Sequence, residues 1–313
     1  MNFRTQIPLY KERNQIDYNS EVLLLGSCFS ENIGSKLEYF KFNTSLNPFG
    51  IMFHPKAIES YVTNVANERT YSEADIFDLN EQWHCFEAHS TLSSINKNLL
   101  LNNLNTGIRT GFSSINSASH IIITLGTAWV YRHIASDTVV ANCHKVPQKK
   151  FLKELMTVDE IEASLQNIIC LIKNINKDVH IVFTLSPIRH IKDGVEENSV
   201  SKAYLRSAIA QITDKRNQVY YYPSFEIMMD DLRDYRFYKE DLIHPSAMAI
   251  DYIWDHFSQS WISENAQPTM QQVAEIQRGL NHKPFNPNSE AHQTFLKNLE
   301  NKIATLEEIN IRF

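Results

Sequence analysis

The sequence predicts an α/β fold, a three-layer α/β/α sandwich around a central, mostly parallel sheet of about five strands. Continuous apolar runs alternate along the 313 residues with stretches of helical periodicity, and this alternation is typical of a doubly wound sheet. The runs lack the apolar–polar alternation of a half-exposed strand, so both faces of the sheet are predicted to be covered.

The strands are predicted from β-branched, apolar runs. The four strong candidates are EVLLLG (21–26), HIIITLG (120–126), VHIVFTLSP (179–187) and VYYYPSF (219–225). A weaker candidate is FKFNTSL (40–46). Runs of this length bounded by Gly, Pro or polar residues favour buried strands over helices.

Helices are predicted between these strands. The clearest covers 157–176, where Thr157 and Glu160 form a capping box and apolar residues recur with a 3.6-residue period. Further helices are predicted by similar patterns, over 55–68, 201–215 and 245–262. Lys202 and Arg206, four residues apart, are interpreted as part of a solvated helix face.

The predicted domain organisation follows from the places where the alternation of strands and helices is interrupted. We expect one α/β domain over residues 1–264, with an insertion at about 71–112 that has β character near QWHCFEAHS. The remaining residues, 265–313, are polar and helical in pattern, and HKPFNPNSE (282–290) divides them into two helices. They are predicted to pack on the domain as a tail.

The composition argues against several classes of protein. A net charge of −6 and a pI near 6.1 argue against non-specific nucleic-acid binding. No apolar run approaches the roughly 18 residues of a membrane span, and the N-terminus lacks a secretory h-region, so a cytoplasmic protein is expected. The cysteines are widely spaced and are interpreted as free thiols: Cys28, Cys85, Cys143 and Cys170. Nothing in the sequence indicates the oligomeric state.

Candidate catalytic residues lie at both ends of the α/β domain. Ser27 follows a predicted strand and precedes a helix, where a hydroxyl is exposed at the sheet edge near helix N–H groups. It could equally be a small residue in a tight turn, and Cys28 is a rival nucleophile. Asp241 and His244 are three residues apart before a helix, so the carboxylate can orient the imidazole as a general base.

The order Ser, Asp, His resembles the SGNH/GDSL-type esterase superfamily, which has a flavodoxin-like fold. Within it, the G-S-C-F-S opening is similar to the GSCFA family. Further stretches carry the same resemblance, namely NPFGI (47–51), NCHKVP (142–147), SPIRHIKDG (186–194) and DYRFYKEDLIHPS (234–246). The resemblance therefore extends over about residues 20–260.

The resemblance implies a role for several residues. Ser27 corresponds to the nucleophile, Asp241 and His244 to the acid and base, and the backbone N–H groups of Ser27 and Gly50 to oxyanion donors. Ala128 stands where the superfamily has an asparagine donor, whose loss typically costs roughly 10²–10³ in rate. The candidate replacements are Asn47, Thr127, Asn142 and the indole of Trp129.

These residues together predict a serine esterase or deacylase that acts on a small-molecule or glycan acyl ester without a cofactor or a metal. Arg189 and His190 either bind an anionic part of the substrate or hold their own loop. The alternatives are an acyltransferase with the same triad, a non-catalytic relative that binds a ligand, and a thiol- or metal-dependent enzyme. Histidine and cysteine spacing matches no metal motif.

Overall fold

The computed structural model describes residues 4–309 and 311–313. In this part of the chain the strands are β1 (Glu21–Gly26), β2 (Asn43–Leu46), β3 (Phe77–Leu79), β4 (Gln82–His84), β5 (His120–Leu125), β6 (Trp129–His133), β7 (Thr138–Val140), β8 (Phe151–Leu155), β9 (His180–Leu185) and β10 (Val219–Tyr222). The helices are α1 (Cys28–Tyr39), α2 (Pro55–Ala66), α3 (Lys97–Ser117), α4 (Val158–Ile175), α5 (Val195–Ile212), α6 (Ser224–Glu226), α7 (Ala247–Trp261), α8 (Gln267–Leu280) and α9 (Glu290–Glu307).

The central sheet has five strands in the order β10-β9-β5-β1-β2, and each neighbouring pair is parallel. This confirms the predicted fold class. Residues 21–26 form a strand as predicted, and FKFNTSL contributes its last four residues as the edge strand β2. The carboxyl ends of all five strands therefore lie along one edge of the sheet, where ligands bind in such folds.

Both faces of the sheet are covered, which explains the continuous apolar runs. In β1, Leu23 and Leu25 pack into one core and Val22 and Leu24 into another, because successive side chains point to opposite faces. Helices α2, α3, α4 and α5 contribute to the first core, and α1 and α7 to the second. The sheet is thus the middle layer of a three-layer sandwich.

Two smaller sheets lie outside the central one. Strands β3 and β4 form an antiparallel hairpin within residues 71–112, and α3 follows them. Strands β7, β6 and β8 form a three-stranded antiparallel sheet between β5 and α4. The sequence patterns did not predict this three-stranded sheet.

The last two helices pack together through a small apolar cluster, Val273, Ile276, Leu299, Leu306 and Ile311. The side chain of Gln277 donates a hydrogen bond of 3.1 Å to the carbonyl of Tyr39 at the end of α1. The division of the chain at residue 264 stays a prediction. Within the described ranges, no helix is both long and apolar enough to cross a membrane.

Candidate active site

A sharp turn joins β1 to α1, and we call residues 26–28 the glycine turn. Gly26 has a φ of 126°, and a Cβ atom there would lie 2.2 Å from the carbonyl oxygen of Thr124 in β5. Only glycine fits such a conformation at such a close approach. The Gly26 N–H donates to Oδ1 of Asn47 at 2.9 Å, which ties the turn to the end of β2.

Ser27 lies inside this turn and is 1% exposed. It is the N-cap of α1, and its Oγ accepts a hydrogen bond of 3.3 Å from the Phe29 N–H. Its own N–H donates to Thr124 O at 3.0 Å. Within the described residues, Ser27 Oγ and His244 form no hydrogen bond, so a nucleophilic role for Ser27 stays a prediction that requires local movement.

Cys28, the first residue of α1, is partly exposed. Burial is the largest influence on its thiol and raises the pKa of Cys28, and the nearby Glu31 carboxylate acts in the same direction. The positive charges of Lys202 and Lys239 oppose this and lower the pKa of Cys28. The thiol is therefore close enough to two lysines to sense their charge, and it is mainly protonated at neutral pH.

Asp241 and His244 form a hydrogen-bonded pair in a segment that we call the histidine loop (residues 238–246). Asp241 Oδ2 lies 2.6 Å from Nδ1 of His244, and Oδ1 accepts the backbone N–H groups of Ile243 and His244, each at 2.9 Å. The backbone donors and then the imidazole lower the pKa of Asp241 to about 2. An ionised Asp241 fixes the Nδ1–H tautomer and leaves Nε2 of His244 able to accept a proton.

The histidine loop is held by short-range contacts just before α7. Lys239 N donates to His244 O at 2.8 Å, and Ser246 N donates to Phe237 O at 2.7 Å. Ser246 in turn caps α7 by accepting the Ala249 N–H at 3.3 Å. The His244 side chain remains 44% exposed, so an incoming ligand can reach the imidazole.

The two backbone amides predicted to bind an oxyanion are already engaged. Gly50 N donates to Asn47 O at 2.7 Å within a tight turn where Gly50 has a φ of 72°, and Ser27 N donates to Thr124 O. Neither amide is free to receive an oxyanion in this conformation. The predicted donor role of these amides therefore depends on a rearrangement of both turns.

Asn47 offers a donor that these amides do not. Its side chain is 8% exposed, and its Oδ1 must face the Gly26 N–H, which fixes the orientation of the amide group. The remaining Nδ2 is buried and has no hydrogen-bond partner within residues 4–309 and 311–313. Because buried donors are rarely left unpaired, Nδ2 is a candidate for binding a ligand oxygen beside the glycine turn.

Of the other proposed replacements for the missing asparagine, Thr127 and Trp129 are engaged elsewhere, whereas Asn142 is engaged only through its oxygen, which is not the donor. Ala128 is fully buried and donates its N–H to Ser201 Oγ at 2.7 Å, and the Thr127 hydroxyl bonds to the same oxygen at 3.1 Å. Asn142 Oδ1 accepts the His144 N–H at 2.8 Å. The Trp129 indole donates to a backbone carbonyl of α5 at 3.4 Å.

His190 and Arg189 follow β9 and lie near the same edge. Nε2 of His190 is buried without a partner in the described chain and lies 3.1 Å from where a Cβ on Gly126 would be. Burial, and then the charge of Lys202, lowers the pKa of His190 to about 4, and His244 is also near enough to lower it. His190 is therefore neutral at pH 7 and is positioned between the end of β5 and the histidine loop.

Arg189 lines a cavity of about 680 Å³ together with Tyr238 and Leu242 of the histidine loop. Its guanidinium donates to the sulfur of Met229 at 3.2 Å. Across the described residues, no carboxylate lies within ion-pair distance of Arg189. The cavity borders the histidine loop at Tyr238 and Leu242, and its lining combines apolar side chains with polar ones, among them Arg233 and Asp234.

Lys202 corrects one interpretation of the sequence, because it is 3% exposed and does not belong to a solvated helix face. Its ammonium donates to Ser186 O at 2.7 Å, and burial, followed by the nearby charge of Arg189, lowers its pKa to about 7. The periodicity of α5 could have revealed this. Leu205 and Ile209, three and seven residues later, are buried and share the face of Lys202.

Metal ligation finds no support in the part of the chain that the structure describes, where no group of three or more His, Cys, Asp or Glu side chains could hold an ion. His84 and His144 pack ring to ring at 4.8 Å, but both are hydrogen-bonded within the protein. Their interactions are those of polar residues that stabilise the region around β4.

Two family models match the chain. The model of the GSCFA family matches residues 21–257, and a model described as the GSCFA domain protein C-terminal domain matches residues 273–313. No curated protein matches the chain. Solved structures that match include a carbohydrate esterase family 3 protein from Talaromyces cellulolyticus (10% identity, TM-score 0.37) and an acetyl esterase mutant with acetate ion (10% identity, TM-score 0.36). Each match covers 82% of this chain and 99% of the other.

Proposed function

The chain belongs to the GSCFA family, and from this premise and the site geometry we propose that it is an acyl-ester hydrolase of the SGNH type. The observation that carries the proposal is the hydrogen-bonded Asp241/His244 pair, in which the Nε2 of His244 has no hydrogen-bond partner among the described residues. Charged groups of the histidine loop affect residues elsewhere in the site: Lys239 lowers the pKa of Cys28, and His244 lowers the pKa of His190. A base and a candidate nucleophile at one sheet edge are what acyl transfer requires.

In the proposed reaction, His244 removes the proton from a nucleophile in the glycine turn, which attacks the acyl carbon of the ester. Ser27 is the nucleophile predicted from the sequence, and Cys28 is the alternative. Asp241 stabilises the imidazolium that forms, and the unpaired Nδ2 of Asn47 donates to the oxyanion. His244 then protonates the leaving alcohol, and water releases the acyl group.

The substrate is proposed to be a small-molecule or glycan acyl ester that occupies the cavity bordered by Tyr238 and Leu242 of the histidine loop. Met228, Leu232 and Tyr238 give this cavity an apolar surface suited to an acyl or sugar moiety. Arg189 supplies a positive charge for a negatively charged group on the same substrate, and His190 contributes a neutral imidazole. This retains the predicted substrate-binding role of both residues.

The proposal is tested by hydrolysis of p-nitrophenyl acetate by the full-length protein. The reference is the double variant Ser27→Ala/Cys28→Ala, which carries neither candidate nucleophile, with folding checked by circular dichroism. We expect the wild-type protein to hydrolyse the ester at least tenfold faster than the double variant. Equal rates would overturn the proposal and favour a ligand-binding relative without turnover.

Acyl transfer to an alcohol is a second candidate, and the size of the cavity favours it. About 680 Å³ exceeds what a short acyl group fills, so the cavity at the histidine loop has room for an acceptor alcohol as well. Glycerol added to the assay distinguishes the two reactions. Acetylated glycerol as the main product would indicate transfer, whereas acetate as the only product would indicate hydrolysis.

A further inference from the structure

Three polar side chains of α5 are buried, and we call them the α5 polar face: Asn198, Ser201 and Lys202. They are 2%, 1% and 3% exposed. Their spacing of three and four residues places them on one side of the helix, together with Leu205 of the core. Because buried polar groups are normally hydrogen-bonded, each donor and acceptor on this face should have a partner.

Ser201 meets this expectation and Asn198 does not. Ser201 Oγ accepts the N–H of Ala128 at 2.7 Å and lies 3.1 Å from the hydroxyl of Thr127. Asn198 Oδ1 accepts the backbone N–H of His190 at 2.9 Å, which fixes the orientation of the amide group. Nδ2 of Asn198 is then a buried donor without a partner in the described chain.

Lys202 adds a buried positive charge one helical turn after Asn198. In the part of the chain that the structure describes, its Nζ makes one hydrogen bond, to Ser186 O at 2.7 Å, and no carboxylate lies within ion-pair distance. Nζ also lies 5.6 Å from the centre of the Phe225 ring. An ammonium has three N–H groups, so two of them are available to a ligand.

His190, whose backbone N–H is bound by Asn198, contributes a third unmatched nitrogen. Its Nε2 is buried without a partner in the described residues and lies 3.1 Å from where a Cβ on Gly126 would be. The side-chain oxygens of Asn198 and Ser201 already accept N–H groups. A water molecule would have to donate hydrogen bonds of its own here, whereas an oxyanion only accepts them. The excess of buried donors therefore favours an oxyanion.

The α5 polar face adjoins the cavity that Arg189 lines. Val195 and Ser199 of α5 belong to the lining of this cavity, and Lys202 follows them by seven and three residues, on the same side of the helix. The charge of Arg189 also lowers the pKa of Lys202, in agreement with this placement. The cavity is therefore the side from which a small ligand would reach Lys202.

We propose that the α5 polar face and His190 bind a small oxyanion, a carboxylate or a phosphate, at the inner end of this cavity. The ammonium of Lys202 balances the negative charge, and Asn198 Nδ2 and His190 Nε2 donate to the oxygens. Binding requires no turnover, so the inference goes beyond the proposed hydrolysis and does not depend on it.

The test is a binding measurement on the full-length protein at pH 6, where Lys202 carries its proton. Sodium acetate and sodium phosphate are titrated by isothermal calorimetry in bis-Tris chloride, with sodium chloride holding the ionic strength constant. The two titrations distinguish a carboxylate ligand from a phosphate ligand. They are repeated with Asn198→Asp, Lys202→Met and a control at an exposed lysine, Lys177→Met.

Asn198→Asp is the decisive variant, because it keeps the size of the side chain and supplies the acceptor from within the protein. The new carboxylate lies four residues before Lys202, a spacing that favours an ion pair. We expect acetate or phosphate to bind the wild type and Lys177→Met equally well. The affinity should fall at least tenfold in Asn198→Asp and in Lys202→Met, as for the loss of hydrogen bonds that involve a charged group.

Without added anion, Asn198→Asp should melt at a temperature no lower than that of the wild type. If Lys202→Met does not fold, Asn198→Asp still decides the question. Absence of binding of both anions to the wild type would overturn the inference. Equal affinity in the wild type and Asn198→Asp would also overturn it, since the anion would then bind elsewhere. A lower melting temperature of Asn198→Asp would contradict the excess of donors on which the proposal is built.

Discussion

The two halves of the proposed site are built in different ways. The glycine turn is fixed by the central sheet, through hydrogen bonds from Gly26 N to Asn47 and from Ser27 N to Thr124, and Ser27 is 1% exposed. The histidine loop is fixed by its own short-range contacts, and His244 is 44% exposed. One half is therefore part of the core, and the other lies on its surface.

Because of this difference, substitutions in the two halves are expected to affect stability and activity differently. A substitution in the glycine turn disturbs contacts among three neighbouring strands, so it is expected to change stability as well as activity. A substitution in the histidine loop removes one exposed side chain, and exposed positions usually change stability by less than about 0.5 kcal/mol. Replacing the base should therefore change catalysis but leave stability nearly unchanged, whereas changing the glycine turn should change both.

Replacing the base is expected to have the largest effect on activity. His244→Ala should lower kcat/KM for p-nitrophenyl acetate by about 10²–10⁴-fold, because general-base catalysis contributes about that factor. The free energy of unfolding, measured by urea denaturation, should stay within about 0.5 kcal/mol of wild type. His282→Ala, at an exposed histidine, is the control. A large loss of stability in His244→Ala would contradict the contrast between the two halves.

Replacing the glycine is expected to have the largest effect on folding. In Gly26→Ala the new Cβ would lie 2.2 Å from Thr124 O at a φ of 126°. Backbone strain of about 1–3 kcal/mol and overpacking of about 1–3 kcal/mol together predict a loss of about 2–6 kcal/mol in urea denaturation. Gly34→Ala in α1, where the nearest atoms belong to the Leu46 side chain at 3.1 Å, is the matched control. Equal stability of both variants would argue that the turn is not rigid.

The fold could be predicted because its signals are local. The β1 run, residues 21–26, matches its strand because a strand that is covered on both faces is apolar at every buried position. The capping box of Thr157 and Glu160 is present for the same reason, since both partners lie within one turn of α4. The antiparallel sheet of β6, β7 and β8 was missed because β7 is only three residues long and β6 pairs with β8, which lies much further along the chain.

The site could be predicted only in part, for the same physical reason. The contact between Asp241 and His244 follows from a spacing of three residues. The burial of Ser27 does not, since it depends on Thr124 in another strand, and neither does the engagement of Gly50 N by Asn47. Lys202 was misread because a charged side chain was assigned to solvent although its helical neighbours are apolar.

Replacing Asp241, the carboxylate of the histidine loop, is expected to lower activity less than replacing His244. Asp241→Asn should lower kcat about 10- to 150-fold, because the imidazolium that forms in the reaction loses its charged hydrogen-bond partner. The pKa of Asp241 is lowered to about 2, so its charge is constant between pH 5 and 9 and adds no pH dependence there. Glu240→Gln, a neighbouring exposed carboxylate, is the control. A loss as large as that of His244→Ala would mean that Asp241 does more than orient the base.

The pH dependence of stability tests whether Lys202, in the buried half of the site, is shielded from solvent. Its pKa is lowered by burial to about 7 in the folded protein, against about 10.4 in the unfolded chain. Below pH 7 both states carry the proton, and the stability difference between wild type and Lys202→Met should be constant. Between pH 7 and 10 the unfolded state binds more protons, so folding of the wild type is favoured as pH rises.

The free energy of unfolding of the wild type, relative to Lys202→Met, should therefore increase by up to about 1.4 kcal/mol per pH unit from pH 7 to 9 in urea denaturation. Lys177→Met, at an exposed lysine, should give a flat difference over the same range. A flat profile for Lys202→Met as well would mean that the ammonium is solvated. Lys202 would then no longer count as a buried donor beside the glycine turn, and the contrast between a core half and a surface half would rest on Gly26 and Ser27 alone.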